Sequence, residues 1–75
     1  MDRKPIASSN LVSVGYGEAP GSTRGPEDLD IEFKGGAVYR YSGVREAIYL
    51  ALMSAPSAGS YHHANIKNVF SFTKL

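Results

Sequence analysis

The sequence contains no cysteine. Neither a disulfide framework nor a thiolate metal site can therefore staple the fold, and the composition fits a reducing compartment. No apolar run approaches the roughly 20 residues needed to cross a bilayer as a helix, so no membrane partner is expected. The opening Met1-Asp2-Arg3-Lys4-Pro5 lacks the apolar stretch of a secretory signal, which makes the cytoplasm the expected location. Internal repeats and low-complexity tracts are also missing. Charge of one sign is scarce, because the net charge of +1 is too small to argue for nucleic acid by itself. A chain of 75 residues is expected to form one domain with a small core and modest stability.

Catalytic constellations are absent as well. His62-His63 is the one candidate metal or base pair, and adjacent helical residues point about 100° apart, so the two rings do not converge on an ion. No His-Glu-x-x-His spacing occurs. The stretch Gly21-Ser22-Thr23-Arg24-Gly25 holds the ingredients of a phosphate cradle but lacks the Gly-Lys-Ser/Thr ending, and no helix follows it. No serine, histidine and acid stand in a triad-like arrangement. The expectation is a protein that is not an enzyme and uses no metal or cofactor.

What is present is an alternating strand, a glycine turn and an aromatic strand. Leu29, Ile31 and Phe33 alternate with Asp28, Asp30, Glu32 and Lys34, which predicts a sheet covered on one face. Gly35-Gly36 predicts a tight hairpin turn with positive φ at both central positions. The strand that follows projects Tyr39 and Tyr41 from one face and Arg40 from the other. Either side of that strand could be the one nearer solvent.

Earlier in the chain, residues 1–9 read as a partly ordered tail and 10–16 as the first strand. Val12, Val14 and Tyr16 fall on one face of it, and Gly15 suggests a bulge or a close backbone approach. Residues 17–27 read as a mobile loop rich in glycine and proline, long for a hairpin connection. Val44, Ala47, Ile48, Ala51, Leu52 and Ala55 form one helical stripe that Pro56 stops. Ser57 is placed to cap a second helix over about Ala58–Lys67. Val69-Phe70-Ser71-Phe72-Thr73 is extended in pattern and could add a fourth strand or simply pack Phe70 and Phe72 onto the sheet. The fold class is therefore α+β, a small antiparallel sheet of three or four strands packed on one face by two short helices. Leu29, Ile31, Phe33, Ile48 and Leu52 are the expected centre of the core.

Charge is unevenly distributed. Residues 1–39 carry a net −2 and residues 40–75 a net +3, from Arg40, Arg45, Lys67 and Lys74 against Glu46. These four cations are the candidate phosphate contacts, and Tyr39 and Tyr41 are the candidate stacking rings. Core packing competes for the same rings, since a small domain needs its large side chains inside.

The pattern Ile6-Ala7-Ser8-Ser9, Gly15-Tyr16, Leu29-x-Ile31-x-Phe33, Gly36-x-x-Tyr39-x-Tyr41, Val44, Tyr49, Leu52, Ala55, Ser57-x-Gly59-x-Tyr61 and Ile66-Lys67 resembles the KTSC domain. It covers the chain from about Ile6 to Leu75. That family is named for the C-terminal extension of some bacterial lysyl-tRNA synthetases, and it also occurs as short stand-alone proteins in bacteria and phages. The resemblance implies a single KTSC-like domain over residues 1–75 and RNA or other nucleic acid as partner. Departures include Arg45 where the family usually has proline, His62 for a usual phenylalanine, Ala64 for a common basic residue, and Phe70-Ser71-Phe72 for a closing Tyr-Pro-Tyr. The alternative partner is a host protein, with this chain as an adaptor or inhibitor, phage-encoded and acting on a defence protein.

Overall fold

The computed structural model describes residues 3–17 and 27–75. Five strands and two helices follow in the order β1 (Arg3–Pro5), β2 (Leu11–Gly17), β3 (Glu27–Phe33), β4 (Val38–Val44), α1 (Glu46–Ser54), α2 (Ala58–Asn65) and β5 (Phe72–Lys74). The strands make one antiparallel sheet in the order β1-β2-β3-β4-β5, a meander whose last step is interrupted by both helices. The α+β class stands, and the strand count is five rather than three or four. The unexpected strand is β1, a three-residue edge piece at 3–5 too short to show a period, whereas β5 at 72–74 falls at the end of the stretch expected to add a fourth strand. β1 thus lies inside the stretch expected to be a partly ordered tail. The expected loop at 17–27 lies outside the described residues apart from its ends, Gly17 in β2 and Glu27 in β3.

One face of the sheet is closed by the helices. Leu11, Val14, Leu29, Ile31, Tyr41 and Val44 from the sheet meet Leu52, Ala58 and Ile66 in the buried cluster. Phe33 and Ile48, expected at its centre, pack partly buried against it instead. β2 differs in parity from its sequence pattern. Leu11 pairs with Phe33 and Ser13 with Glu32, so Val12 is an extra residue bulged out of the ladder. The bulge brings Leu11 to the core side and leaves Val12 exposed, and it falls three residues before Gly15.

The hairpin after β3 is a three-residue loop rather than a two-glycine turn. Gly36 N–H donates to Phe33 O at 3.0 Å, which makes Lys34 and Gly35 the central pair, and Phe33 N–H donates to Ala37 O at 2.8 Å. Gly35 and Gly36 both hold positive φ, +98° and +97°, where a Cβ would be strained. Val44, read as the start of the first helical stripe, is the last residue of β4 and fully buried. α1 starts at Glu46, whose carboxylate suits the positive end of the helix, and stops at Ala55, extended ahead of Pro56. Ser57 caps α2 as its position predicts, its hydroxyl accepting from Ser60 N–H at 3.3 Å. Gly59, in the first turn of α2, lies so near Asn10 that a Cβ there would sit 3.3 Å from the amide nitrogen. Past α2, Asn68 adopts φ +64° and turns the chain toward β5.

Candidate functional site

Strand parity and cross-strand pairing place the candidate residues. On the face away from the helices, Gly15, Asp30, Arg40 and Thr73 lie in one row across β2–β5. Asp30, expected in water by alternation, is 4 % exposed. Arg40 covers it with a two-pronged ion pair, Nε to Oδ1 at 2.8 Å and Nη2 to Oδ2 at 2.9 Å, with Asp28 3.9 Å from Nε. That hydrogen bond, and the negative charge of Asp30, hold the guanidinium pKa above its ordinary value. Arg40 is thus committed to a partner inside the chain, on the opposite face from the tyrosines.

On the helix-covered face, five rings form a closed circuit at the β4–β5 edge. Phe33 meets Tyr39 edge-on with centroids 5.6 Å apart, Tyr39 lies 5.3 Å from Phe72, and Phe72 lies 5.8 Å from Tyr41. Tyr41 lies 5.6 Å from His62, which closes the circuit at 5.0 Å from Phe33. The register explains the gathering: Tyr41 faces Phe72 and Tyr39 faces Lys74 across β4 and β5. Phe72 and Lys74, two apart on β5, share that face.

The rings differ in depth. Tyr41 is 3 % exposed and Phe72 is 55 % exposed, while Tyr39 is half-buried. Tyr41 therefore belongs to the core and offers no face for stacking, whereas Tyr39 and Phe72 do. The Tyr41 hydroxyl lies 2.8 Å from His62 Nε2, and burial raises its pKa. Burial lowers the His62 pKa, aided by the positive charges of Lys67 and His63. In the neutral ring with its proton on Nδ1, Nε2 accepts from the Tyr41 hydroxyl. His63, the neighbour of His62 in α2, is exposed.

Between these rings and the segment after α2 runs a groove of about 440 Å³, walled by Phe33, Tyr39, Phe72 and His62 and edged by Lys67 and Asn68. A second hollow of about 350 Å³ shares Phe33, His62 and Lys67 with it and adds Asn10, Lys34 and His63. Among the described residues lining either one there is no carboxylate. Both volumes fall in the range typical of small-ligand sites.

The four cations do not form one face. Lys67 borders the groove and Lys74 stands on the strand face beside it, but Arg40 is on the reverse side. Arg45 is the residue before α1, past the far end of β4 from Tyr39. Six residues of chain, interrupted by the bulge at Gly43, separate it from Tyr39 by at most about 20 Å. Phe33, Phe72, Lys34 and His62 were not among the expected site residues. The signal for Phe72 was its spacing from Lys74, readable only once the β4–β5 register is known. Among the described residues no three metal-ligating side chains cluster, and no helix is long and apolar enough to cross a membrane.

A five-strand meander with two helices inserted before its last strand, and an aromatic groove at that strand, defines a small α+β domain built around one sheet edge. The chain belongs to the KTSC domain family, whose model matches residues 7–70. It is similar to the crystal structure of a KTSC domain protein from Yersinia pestis, with a TM-score of 0.79 and 33% identity, covering 99% of this chain and 96% of that one. It is also 36% identical over 69 residues to an uncharacterized protein of Stutzerimonas stutzeri, covering 89% of this chain and 86% of that protein.

Proposed function

We propose that the protein is a non-enzymatic binding module for single-stranded nucleic acid, RNA in the first instance. The observation that carries this reading is the groove itself, where the open rings of Tyr39 and Phe72 lie beside Lys67 and Lys74 with no carboxylate among the described lining residues. Unpaired bases stack on such rings at about 1–3 kcal/mol each, and lysines follow the phosphates. Arg40 and Arg45, counted among the contacts on sequence grounds, drop out on position.

Fluorescence anisotropy of a labelled single-stranded RNA, at low and physiological salt, tests the proposal. With Lys34, Lys67 and Lys74 engaged at most, log affinity should fall against log salt with a slope no steeper than about −2. Tyr39→Ala and Phe72→Ala should weaken binding together with Lys67→Ala, while Arg45→Ala leaves it unchanged. No binding at micromolar protein in low salt refutes the reading and favours the adaptor or inhibitor that binds a host protein.

A further inference from the structure

The second hollow extends the groove in a direction that base stacking does not use. Its exposed polar side chains are Asn10, Lys34, His63 and Lys67. Three of them are basic or become so on protonation, and the fourth carries an amide donor. The backbone of Gly59, in the first turn of α2, forms part of the wall, where the end of the helix adds partial positive charge. The absence of a side chain at Gly59 keeps that wall low, since a Cβ would press on the Asn10 amide. Lys67 and the rings of Phe33 and His62 belong to both hollows, so the apolar compartment opens directly into the basic one. Charge complementarity then calls for an anion joined to a flat ring.

Resting on the nucleic-acid reading, we propose that the basic hollow is a phosphate subsite and that the whole groove takes one nucleotide unit. The heterocycle lies against Tyr39 and Phe72, and the phosphate lies between Lys34, His63 and Lys67. Phosphate in this hollow gains charge-assisted hydrogen bonds that a nucleoside lacks. A free mononucleotide and a nucleotide within a strand present the same chemistry.

Heteronuclear NMR titration of the full chain with adenosine monophosphate, adenosine and inorganic phosphate tests the subsite. The monophosphate should shift the amides of Gly59, His63 and Lys67 and bind about tenfold more tightly than adenosine. The double variant Lys34→Ala/His63→Ala changes two exposed side chains, so it should fold normally. It should keep the adenosine affinity and lose the preference for the monophosphate. Equal affinity for the two ligands, or a preference that survives in the double variant, overturns the subsite whether or not RNA binds. Failure of both ligands to bind at millimolar concentration also overturns it. Competition with a short single-stranded RNA separates the sources. Displacement of the monophosphate by the strand supports a nucleotide within a chain. A monophosphate preference with no displacement supports a free nucleotide, retaining the subsite and overturning the RNA reading.

Discussion

Tyr41 and His62 are each the buried partner of the other's polar group, so removing both should cost less than the two single removals added together. Tyr41 is 3 % and His62 8 % exposed, with 2.8 Å between the hydroxyl and Nε2. Tyr41→Phe strands the ring nitrogen, and His62→Phe strands the hydroxyl. A buried polar group left without a partner costs about 1–3 kcal/mol, so each single variant should melt roughly 4–20 °C lower. The double variant Tyr41→Phe/His62→Phe removes both polar ends and puts one apolar ring beside another. Its cost should fall well below the sum of the singles, with a coupling of about 1–2 kcal/mol. Urea denaturation of the four proteins at neutral pH measures this cycle. Acid supplies a second readout with a defined sign. Burial holds the folded-state pKa of His62 below its ordinary 6.5. As pH falls through 6.5, the unfolded chain takes up a proton that the folded chain refuses, so stability declines until the folded pKa is reached. One proton sets the limit of that decline at about 1.4 kcal/mol per pH unit. His62→Phe should flatten this part of the profile. Singles that add to the double within about 0.5 kcal/mol, or an unchanged acid slope in His62→Phe, would refute the argument.

Leu52 is the α1 side chain fully buried against the sheet, so Leu52→Ala should cost about 2–5 kcal/mol of a total near 5–15 kcal/mol. A urea midpoint close to that of the parent would place the helix contact elsewhere. Arg40→Ala uncovers Asp30 and should destabilise the fold by about 1–3 kcal/mol, a cost limited by water reaching the exposed half of the pair. The same variant should bind RNA as the parent does, and a loss of affinity in the folded protein would show that the reverse face of the sheet takes part.

Local signals were legible where neighbours in sequence decide the outcome. Leu29, Ile31 and Phe33 alternate because β3 is central, with one face packed, and the Ser57 cap needs no residue beyond its own turn. Signals failed where a partner far along the chain decides. The bulge at Val12 exists only in the pairing of Leu11 with Phe33 and Ser13 with Glu32, so the parity of β2 is not visible in its own residues. Asp30 looks solvated by alternation, yet Arg40, ten residues on, closes over it across the ladder. Val44 fits the strand period from Tyr39 and Tyr41 poorly and the helical stripe well, but the hydrogen bonds begin the helix only after Arg45.

The candidate site was half legible for the same reason. Tyr39, Lys67 and Lys74 were named from composition, and the groove needs them together with Phe72 and Phe33, which only topology brings in. The decisive step is the return of the chain after α2. Ile66 is fully buried beneath the sheet, Asn68 turns the backbone, and Phe70 stays half-buried against the core. Ser42 N–H then donates to Ser71 O at 2.9 Å, and Leu75 N–H to Val38 O at 2.8 Å, which clamps β5 along β4 from both ends. Phe72 is carried out past the helices by this clamp, onto the same face as Tyr39. There it is backed by rings on one side and open on the other. A strand added at the edge after the helices have covered the middle of the sheet necessarily leaves its inner face uncapped. The groove is that uncapped strip, and the lysines that border it come from the turn before β5 and from β5 itself, so one short segment, residues 66–75, both builds the wall and charges it.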